Sequence, residues 1–153
     1  MLTDTITLRE LTIRYAVKAD QTGQPVPIGD TLTTPQDAAA IFTRLLGDEA
    51  TEVFGVLLLS TRRHVIAYFE VTRGSLNTTI VAPRDVFKAA LLSNAAALIL
   101  AHSHPSGDPT PSPDDRALTQ RLVAAGTLLG VDVLDHIVVG HGQYASFKML
   151  GLL

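Results

Sequence analysis

Two histidines and a serine–aspartate pair form the pattern in this chain that is most suggestive of chemistry. His102 and His104 lie two residues apart at the end of an apolar run, and Ser112 and Asp115 follow in a stretch without hydrophobic residues. Side chains alternate between the two faces of a strand, so both imidazoles should project from the same side. Imidazole and carboxylate groups are common ligands of divalent metals. The pattern therefore predicts a metal site that needs no thiolate.

Each half of this pattern also has an ordinary structural interpretation. Two histidines in an H-x-H pair are often only hydrogen-bonded to their surroundings. Ser112, Pro113 and Asp115 form the usual order of N-cap, first-turn proline and capping-box carboxylate, which begins a helix without any chemistry. Asp108 and Asp114 are further carboxylates that lie near the histidines in sequence. The residues alone leave the identity of a third ligand open.

Composition narrows the classes of protein that could carry such a site. Cysteine is absent, which excludes disulfide frameworks, zinc fingers, iron–sulfur clusters and thiol nucleophiles. The 12 basic and 15 acidic residues give a formal charge of −3, so the chain lacks the basic footprint of a dedicated nucleic-acid binder. Charged residues interrupt the N-terminal segment, and the most apolar runs are far shorter than a bilayer span. We expect no export signal, no membrane association and a cytoplasmic location.

The chain divides into a short arm and a main domain. Its 153 residues, of which 46% are hydrophobic, suit one domain with one core. Residues 1–33 are predicted to form an N-terminal arm, with a bulged strand or two short strands at 5–17 and a loop or hairpin turn rich in Gly and Pro at 20–33. The remaining residues, 34–153, are predicted to form the main domain.

The main domain is predicted to combine strands and helices in the α/β class, as a mixed β-sheet flanked by helices. In chain order we predict a helix at 35–46, strands at 52–59 and 64–71 joined as a hairpin, a short strand at 79–81, a helix within 83–94, a strand at 96–104, a helix ending at Gly130 and a strand at 131–139. The run at 96–104 is almost continuously apolar, which is typical of a central strand covered on both faces. The candidate metal site would then lie at the end of this central strand.

The complete pattern resembles a known signature. His102-x-His104-Pro105, followed after six residues by Ser112-x-x-Asp115, is similar to the signature of JAB/MPN (JAMM) metalloprotease domains. Further segments are similar to the RadC branch of bacterial JAB proteins: 73–77, 83–90, 101–112 and 134–137. The resemblance covers roughly Thr34 to the C-terminus. It implies a JAB/MPN-type fold for the main domain.

The same resemblance implies a zinc-dependent hydrolase that cleaves a peptide or isopeptide bond in an unidentified peptide or protein substrate. It assigns one zinc ion per chain to His102, His104 and Asp115, with a fourth position open for water. Glu52, at the start of an apolar strand, corresponds to the upstream glutamate that acts as general base. Ser112 corresponds to the residue that donates a hydrogen bond to the oxyanion. From its position alone, Glu52 would be a surface carboxylate.

Some features lie outside this signature or depart from the family. Asp135 and His136 have no place in the signature, and we predict a structural pair or a pair that supports the metal ligands.

Longer RadC proteins carry a helix-hairpin-helix region that binds the DNA backbone, and these 153 residues leave no room for it. We therefore expect no strong DNA binding. The alternatives are an MPN-type binding or scaffold module and a DNA-repair accessory protein without proteolytic activity. The residues do not predict the oligomeric state.

Overall fold

Three α-helices and five β-strands make up the part of the chain that the computed structural model describes, residues 7–29, 31–74 and 81–153. In chain order they are α1 (Pro35–Leu46), β1 (Glu52–Leu59), β2 (Val65–Gly74), α2 (Pro83–Leu92), β3 (Ala97–Ser103), α3 (Pro113–Leu129), β4 (Asp132–Gly140) and β5 (Gln143–Ser146). The strands form one mixed sheet in the order β2-β1-β3-β4-β5, in which only the β3–β4 pair is parallel. The predicted α/β domain with a mixed sheet flanked by helices is confirmed.

The central strand β3 is buried along its whole length. One hydrophobic cluster lies between the sheet and α1 and includes Ile99 and Ala101. A second cluster lies between the sheet and the helices α2 and α3 and includes Leu98 and Leu100. Alternate side chains of β3 therefore enter opposite cores, which explains why its sequence is apolar without a period of two.

The start of α1 and the first hairpin follow their predictions. Thr34 caps α1 by accepting a hydrogen bond from the backbone N–H of Asp37, whose carboxylate in turn accepts the N–H of Thr34. The strands β1 and β2 pair in antiparallel register. Strand β2 continues to Gly74, three residues beyond its predicted end at Val71.

The N-terminal arm differs from its prediction. The alternation in 5–17 predicts a strand, but residues 7–17, the part that is described, form no strand and join none of the described strands. Leu8, Leu11 and Val17 are each at least 74% exposed. An alternating pattern shows which side chains share a face, whereas a strand also needs a partner with which to pair.

The loop predicted at 20–33 begins with a tight turn. The Asp20 carboxylate accepts hydrogen bonds from the backbone N–H groups of Thr22 and Gln24, and an isolated bridge pairs Ala19 with Pro25. Leu32, close to the predicted boundary, is buried in the core beside α1. The division of the chain at residue 33 stays a prediction.

Two differences concern short strands. The predicted strand at 79–81 falls mostly outside the described residues, and Val81, which is described, is buried but not in a strand. The sequence prediction also missed β5, which pairs with β4 through the two-residue turn His141–Gly142. Both turn residues have positive φ, 44° and 76°, as a type I′ hairpin requires. The glycine after a predicted strand was the available signal for this hairpin.

None of the helices in the described ranges is long and apolar enough to cross a lipid bilayer.

Candidate metal centre

Four side chains from three elements converge at one end of the sheet. Glu52, His102, His104 and Asp115 each offer one ligand atom, and these atoms all lie within 4.8 Å of one another. Glu52 begins β1, His102 lies at the end of β3, His104 directly follows that strand, and Asp115 is in the first turn of α3. The structure thus brings together all three predicted metal ligands and the predicted general base.

The antiparallel pairing of β1 and β3 explains how Glu52 reaches residues some fifty positions further along the chain. Phe54 is the register partner of His102, so the beginning of β1 lies beside the end of β3. Side chains two residues apart on a strand share a face. Glu52 therefore lies on the same side of the sheet as Phe54, and His104 on the same side as His102.

Asp115, rather than either neighbouring carboxylate, faces the histidines. Its Oδ1 lies 3.2 Å from His102 Nε2, and its Oδ2 lies 3.3 Å from His104 Nε2. The Asp108 carboxylate instead accepts hydrogen bonds from the backbone N–H and hydroxyl of Thr110, at 2.9 and 2.7 Å. Asp114 is not among the four converging residues. Of the three carboxylates that the sequence left open, the first turn of α3 thus places Asp115 beside both histidines.

The same carboxylate also caps its helix. Asp115 Oδ2 accepts the backbone N–H of Ser112 at 2.7 Å, and Ser112 Oγ accepts the backbone N–H of Asp115 at 3.1 Å. Capping and metal ligation are therefore compatible, because the cap fixes the carboxylate in the orientation that faces both imidazoles. Helix α3 begins here because its first turn supplies its own hydrogen-bond partners.

The loop after β3 is held against the β4–β5 turn. The backbone N–H of His104 donates to the carbonyl of Val139 at 2.8 Å. Gly107 has a φ of +88°, and a Cβ at this position would collide with the imidazole ring of His141. The positive φ favours glycine there, and any larger residue would also force the exposed His141 ring to move. The two turns are thus in close contact at Gly107.

The charges at the site are arranged for a cation. Burial raises the pKa of Asp115, but the hydrogen bonds with His102 and His104 outweigh burial and hold that pKa well below its ordinary value. The hydrogen bond with Asp115 raises the pKa of His104, and burial opposes that effect. The site thus contains an ionised carboxylate between two imidazole rings.

The donor atoms fit a divalent metal ion. His104 Nδ1 lies 2.8 Å from the backbone carbonyl oxygen of Asp108, which can only accept, so Nδ1 carries a proton. With a second proton on the ring, Nε2–H makes the hydrogen bond to Asp115; without it, Nε2 is a lone pair that a metal ion can use. Nε2 lies 2.9 Å from Nε2 of His102. Two ring nitrogens and a carboxylate at this separation require a shared cation, either a proton or a metal ion. Neutral imidazoles with one carboxylate are a ligand set typical of catalytic zinc.

Asp135 and His136, which were predicted as one pair, make different contacts. The Asp135 carboxylate accepts hydrogen bonds from the Ser146 hydroxyl at 2.6 Å and from the backbone N–H groups of His136 and Lys148. These bonds tie β4 to the C-terminal segment. His136 instead lies 2.7 Å from a ring nitrogen of His102. Asp135 therefore has a structural role, and only His136 touches a candidate metal ligand.

Sequence reasoning could not orient His136, because a β-bulge changes the face on which it lies. The register of β3 with β4 shifts between Leu98 and Ile99, which pair with Val133 and Asp135 and leave Leu134 as the extra residue. A bulge reverses the alternation of the residues that follow it. His136 consequently points toward His102, and the sequence carries no clear signal for this bulge.

Comparisons with known proteins agree with this fold and site. The model of the RadC-like JAB domain family matches residues 32–152. A UPF0758 protein of Desulforamulus reducens is 45% identical over 119 residues, which cover 78% of this chain and 52% of the relative. A UPF0758 protein of Pelobacter propionicus is 48% identical over 124 residues, 81% of this chain and 54% of the relative. A UPF0758 protein of Symbiobacterium thermophilum is 54% identical over 102 residues, 67% of this chain and 44% of the relative.

A mixed sheet with helices on both faces and a His/Asp/Glu group at the end of its central strand is consistent with a JAB-type domain. The chain belongs to the RadC-like JAB domain family. The resemblance found in the sequence is therefore confirmed. The chain spans about half the length of the curated relatives that it matches.

Proposed function

We propose that the protein is a zinc-dependent hydrolase that cleaves a peptide or isopeptide bond in a peptide or protein substrate. The observation that carries this proposal is the convergence of Glu52 with two histidines and an aspartate within 4.8 Å. His102, His104 and Asp115 would hold one zinc ion per chain. When bound, zinc supplies a Lewis acid and lowers the pKa of water to near neutrality.

Glu52 has the position and the freedom that a general base needs. Its carboxylate lies with the candidate ligands but makes no side-chain hydrogen bond within the described part of the chain. The residue is half-buried, so water can reach it from the surface. In the proposed reaction Glu52 accepts a proton from the attacking water and passes it to the leaving amine.

Ser112 can supply a hydrogen bond to the oxyanion. Its Oγ accepts the backbone N–H of Asp115, and this contact holds the side chain in place while its own hydrogen remains available to donate. A fixed donor of this kind stabilises the negative charge that develops on the carbonyl oxygen during attack.

The structure favours an enzyme over a scaffold, because none of the four converging side chains is missing or turned away. The DNA-repair alternative gains no comparable support from the charge of the chain, which is −3. We propose that duplex DNA binds this chain only weakly, with a Kd of about 10⁻⁴ to 10⁻⁶ M at physiological salt. A filter-binding titration would reject this proposal if it gave sequence-selective nanomolar affinity.

The test of the proposed activity is to incubate the zinc-loaded protein with a mixture of linear peptides and lysine-linked isopeptides and to identify products by mass spectrometry. The matched control is Glu52→Gln, which keeps the size of the side chain but cannot accept a proton. We expect this variant to keep its zinc and to lose about 10²- to 10⁴-fold in rate. Equal cleavage by both proteins would show that Glu52 is not the base, and zinc-loaded protein without any cleavage product would argue for the scaffold.

A further inference from the structure

A buried chain of hydrogen bonds runs from α3 through β4 to the candidate metal ligand His102. His136 is fully buried, with its Nδ1 2.6 Å from the Thr119 hydroxyl oxygen and its Nε2 2.7 Å from His102 Nδ1. Its ring also stacks on Phe147 at 4.7 Å between centroids. His136 lies too deep to meet a substrate, so its contacts must act through His102.

In this series of hydrogen bonds, the contacts of Thr119 determine which ring nitrogen of each histidine carries a proton. The Thr119 hydroxyl lies 2.7 Å from the backbone carbonyl oxygen of Asp115, which can only accept. When the single hydroxyl hydrogen is donated to that carbonyl, Thr119 Oγ1 must accept from His136 Nδ1–H. His136 is fully buried, and among the described residues its ring nitrogens contact only Thr119 and His102, so no carboxylate offsets a charge there and the ring is neutral with this one proton.

The position of the proton on His136 then determines the position of the proton on His102. A neutral His136 with its proton on Nδ1 presents a lone pair at Nε2, so His102 must donate its own Nδ1–H to it. His102 Nε2 is left as a lone pair directed at the site, 3.2 Å from Asp115 Oδ1. The opposite orientation would place a proton on His102 Nε2, where it would block a metal ion.

We infer that His136, anchored by Thr119, is a positioning residue that keeps the proton of His102 on Nδ1 and thereby leaves Nε2 free to bind the metal. This inference deepens the proposed function and rests on it. His104 also carries its proton on Nδ1, but without a side-chain partner, because its Nδ1–H donates directly to the backbone carbonyl of Asp108. The two histidine ligands are thus oriented by different partners, one of them a side chain that can be replaced.

The test compares the zinc affinity of four variants with that of the wild type, by competition with a chromogenic chelator at fixed pH. His136→Phe keeps a ring against Phe147 but removes the acceptor, and we expect about 10- to 100-fold weaker zinc binding, the usual cost of losing such a partner. His136→Gln restores an acceptor and a donor side by side, and we expect it to recover most of the affinity. Thr119→Val removes the anchor together with the hydrogen bond to the Asp115 carbonyl, and should also weaken binding.

Ser103→Ala is the matched control. Ser103 lies in sequence between the two histidine ligands and is buried like Thr119. Its hydroxyl accepts the backbone N–H of Val53 and donates to the carbonyl of Thr51, away from the site. We expect this variant to lose stability in urea without losing zinc affinity. A long-range proton–nitrogen NMR spectrum of the zinc-loaded wild type should show the His102 proton on Nδ1.

Several results would overturn the inference. One is a folded His136→Phe protein that binds zinc as the wild type does, and another is a folded His136→Gln protein as weak as His136→Phe. If His136→Phe does not fold, unchanged zinc affinity in Thr119→Val decides against it. A wild-type protein that binds no zinc would instead refute the proposed metal site itself, which separates the two failures.

Discussion

Two helices of this protein begin with almost the same four residues. Thr34-Pro35-Gln36-Asp37 starts α1, and Ser112-Pro113-Asp114-Asp115 starts α3. Both form a complete capping box with proline at the first position. Among the described residues, the Asp37 carboxylate bonds only the backbone and hydroxyl groups of the preceding threonines, whereas the Asp115 carboxylate also faces two imidazoles.

This difference shows where the function of a local motif originates. The cap alone explains why each helix begins where it does. Only α3 begins next to the end of β3, where His102 and His104 project from the sheet. The chemistry therefore depends on which element lies beside the cap, and the four residues of the cap contain no information about that neighbour.

The largest expected difference between the two capping boxes appears when the aspartate is removed from each. Asp115→Ala should abolish stoichiometric zinc binding, because the site loses its only charged ligand, while Asp37→Ala should bind zinc as the wild type does. Metal analysis of the dialysed proteins measures both. Full zinc content in Asp115→Ala would move the third ligand to another carboxylate, and Asp108 and Asp114 would be replaced next.

The second prediction concerns the two N-cap hydroxyls. Ser112→Ala and Thr34→Ala should each lose about 1 kcal/mol of unfolding free energy, the usual contribution of an N-cap. Only Ser112→Ala should also lose turnover, by about 10²- to 10³-fold, if its hydroxyl stabilises the oxyanion. Urea unfolding and steady-state kinetics on the same preparations separate the two effects. Equal turnover in both variants would limit Ser112 to capping.

The third prediction extends the comparison to two glycines with the same backbone conformation. Gly23, in the turn of the arm, has a φ of +84° and open space around a Cβ, whereas Gly107 has a φ of +88° and the His141 ring in the way. Gly23→Ala should cost about 1 kcal/mol, from conformational strain alone. Gly107→Ala should cost more and also weaken zinc binding, because the loop that orients His104 must shift. Equal losses in unfolding free energy would show that the contact with His141 is unimportant.

The sequence predicted this site better than it predicted the arm, for a physical reason. His102, His104, Ser112 and Asp115 lie close together in the chain, so a strand end followed by a helix start already brings them near one another. Glu52 depended on the resemblance, since its place at the site results from the antiparallel register of β1 with β3.

Features that depend on distant partners were wrong or missed. The alternation at 5–17 has the period of a strand, but no described strand pairs with residues 7–17. His136 could not be oriented, because the bulge at Leu134 is a property of the β3–β4 pairing rather than of either strand. In both cases the local pattern gave a side-chain period and the tertiary pairing determined the outcome.

The smallest expected effect is at the capping box of α1, whose aspartate faces no imidazole among the described residues. Hydrogen bonds from the backbone N–H groups of Thr34 and Thr33 lower the pKa of Asp37 below its ordinary value. A carboxylate with a depressed pKa in the folded state adds stability that is fully present above the unfolded value, about 3.9, and is lost as the pH falls through the folded value. Asp37→Asn, measured against the wild type in urea with a chelator present, should therefore show a constant small deficit between about pH 5 and 7. Below about pH 4 the deficit should begin to shrink, and the two proteins should converge once the pH has fallen through the folded pKa of Asp37, because both side chains are then neutral. A deficit that stays constant to pH 2, or grows on acidification, would show that the charge of Asp37 does not stabilise α1.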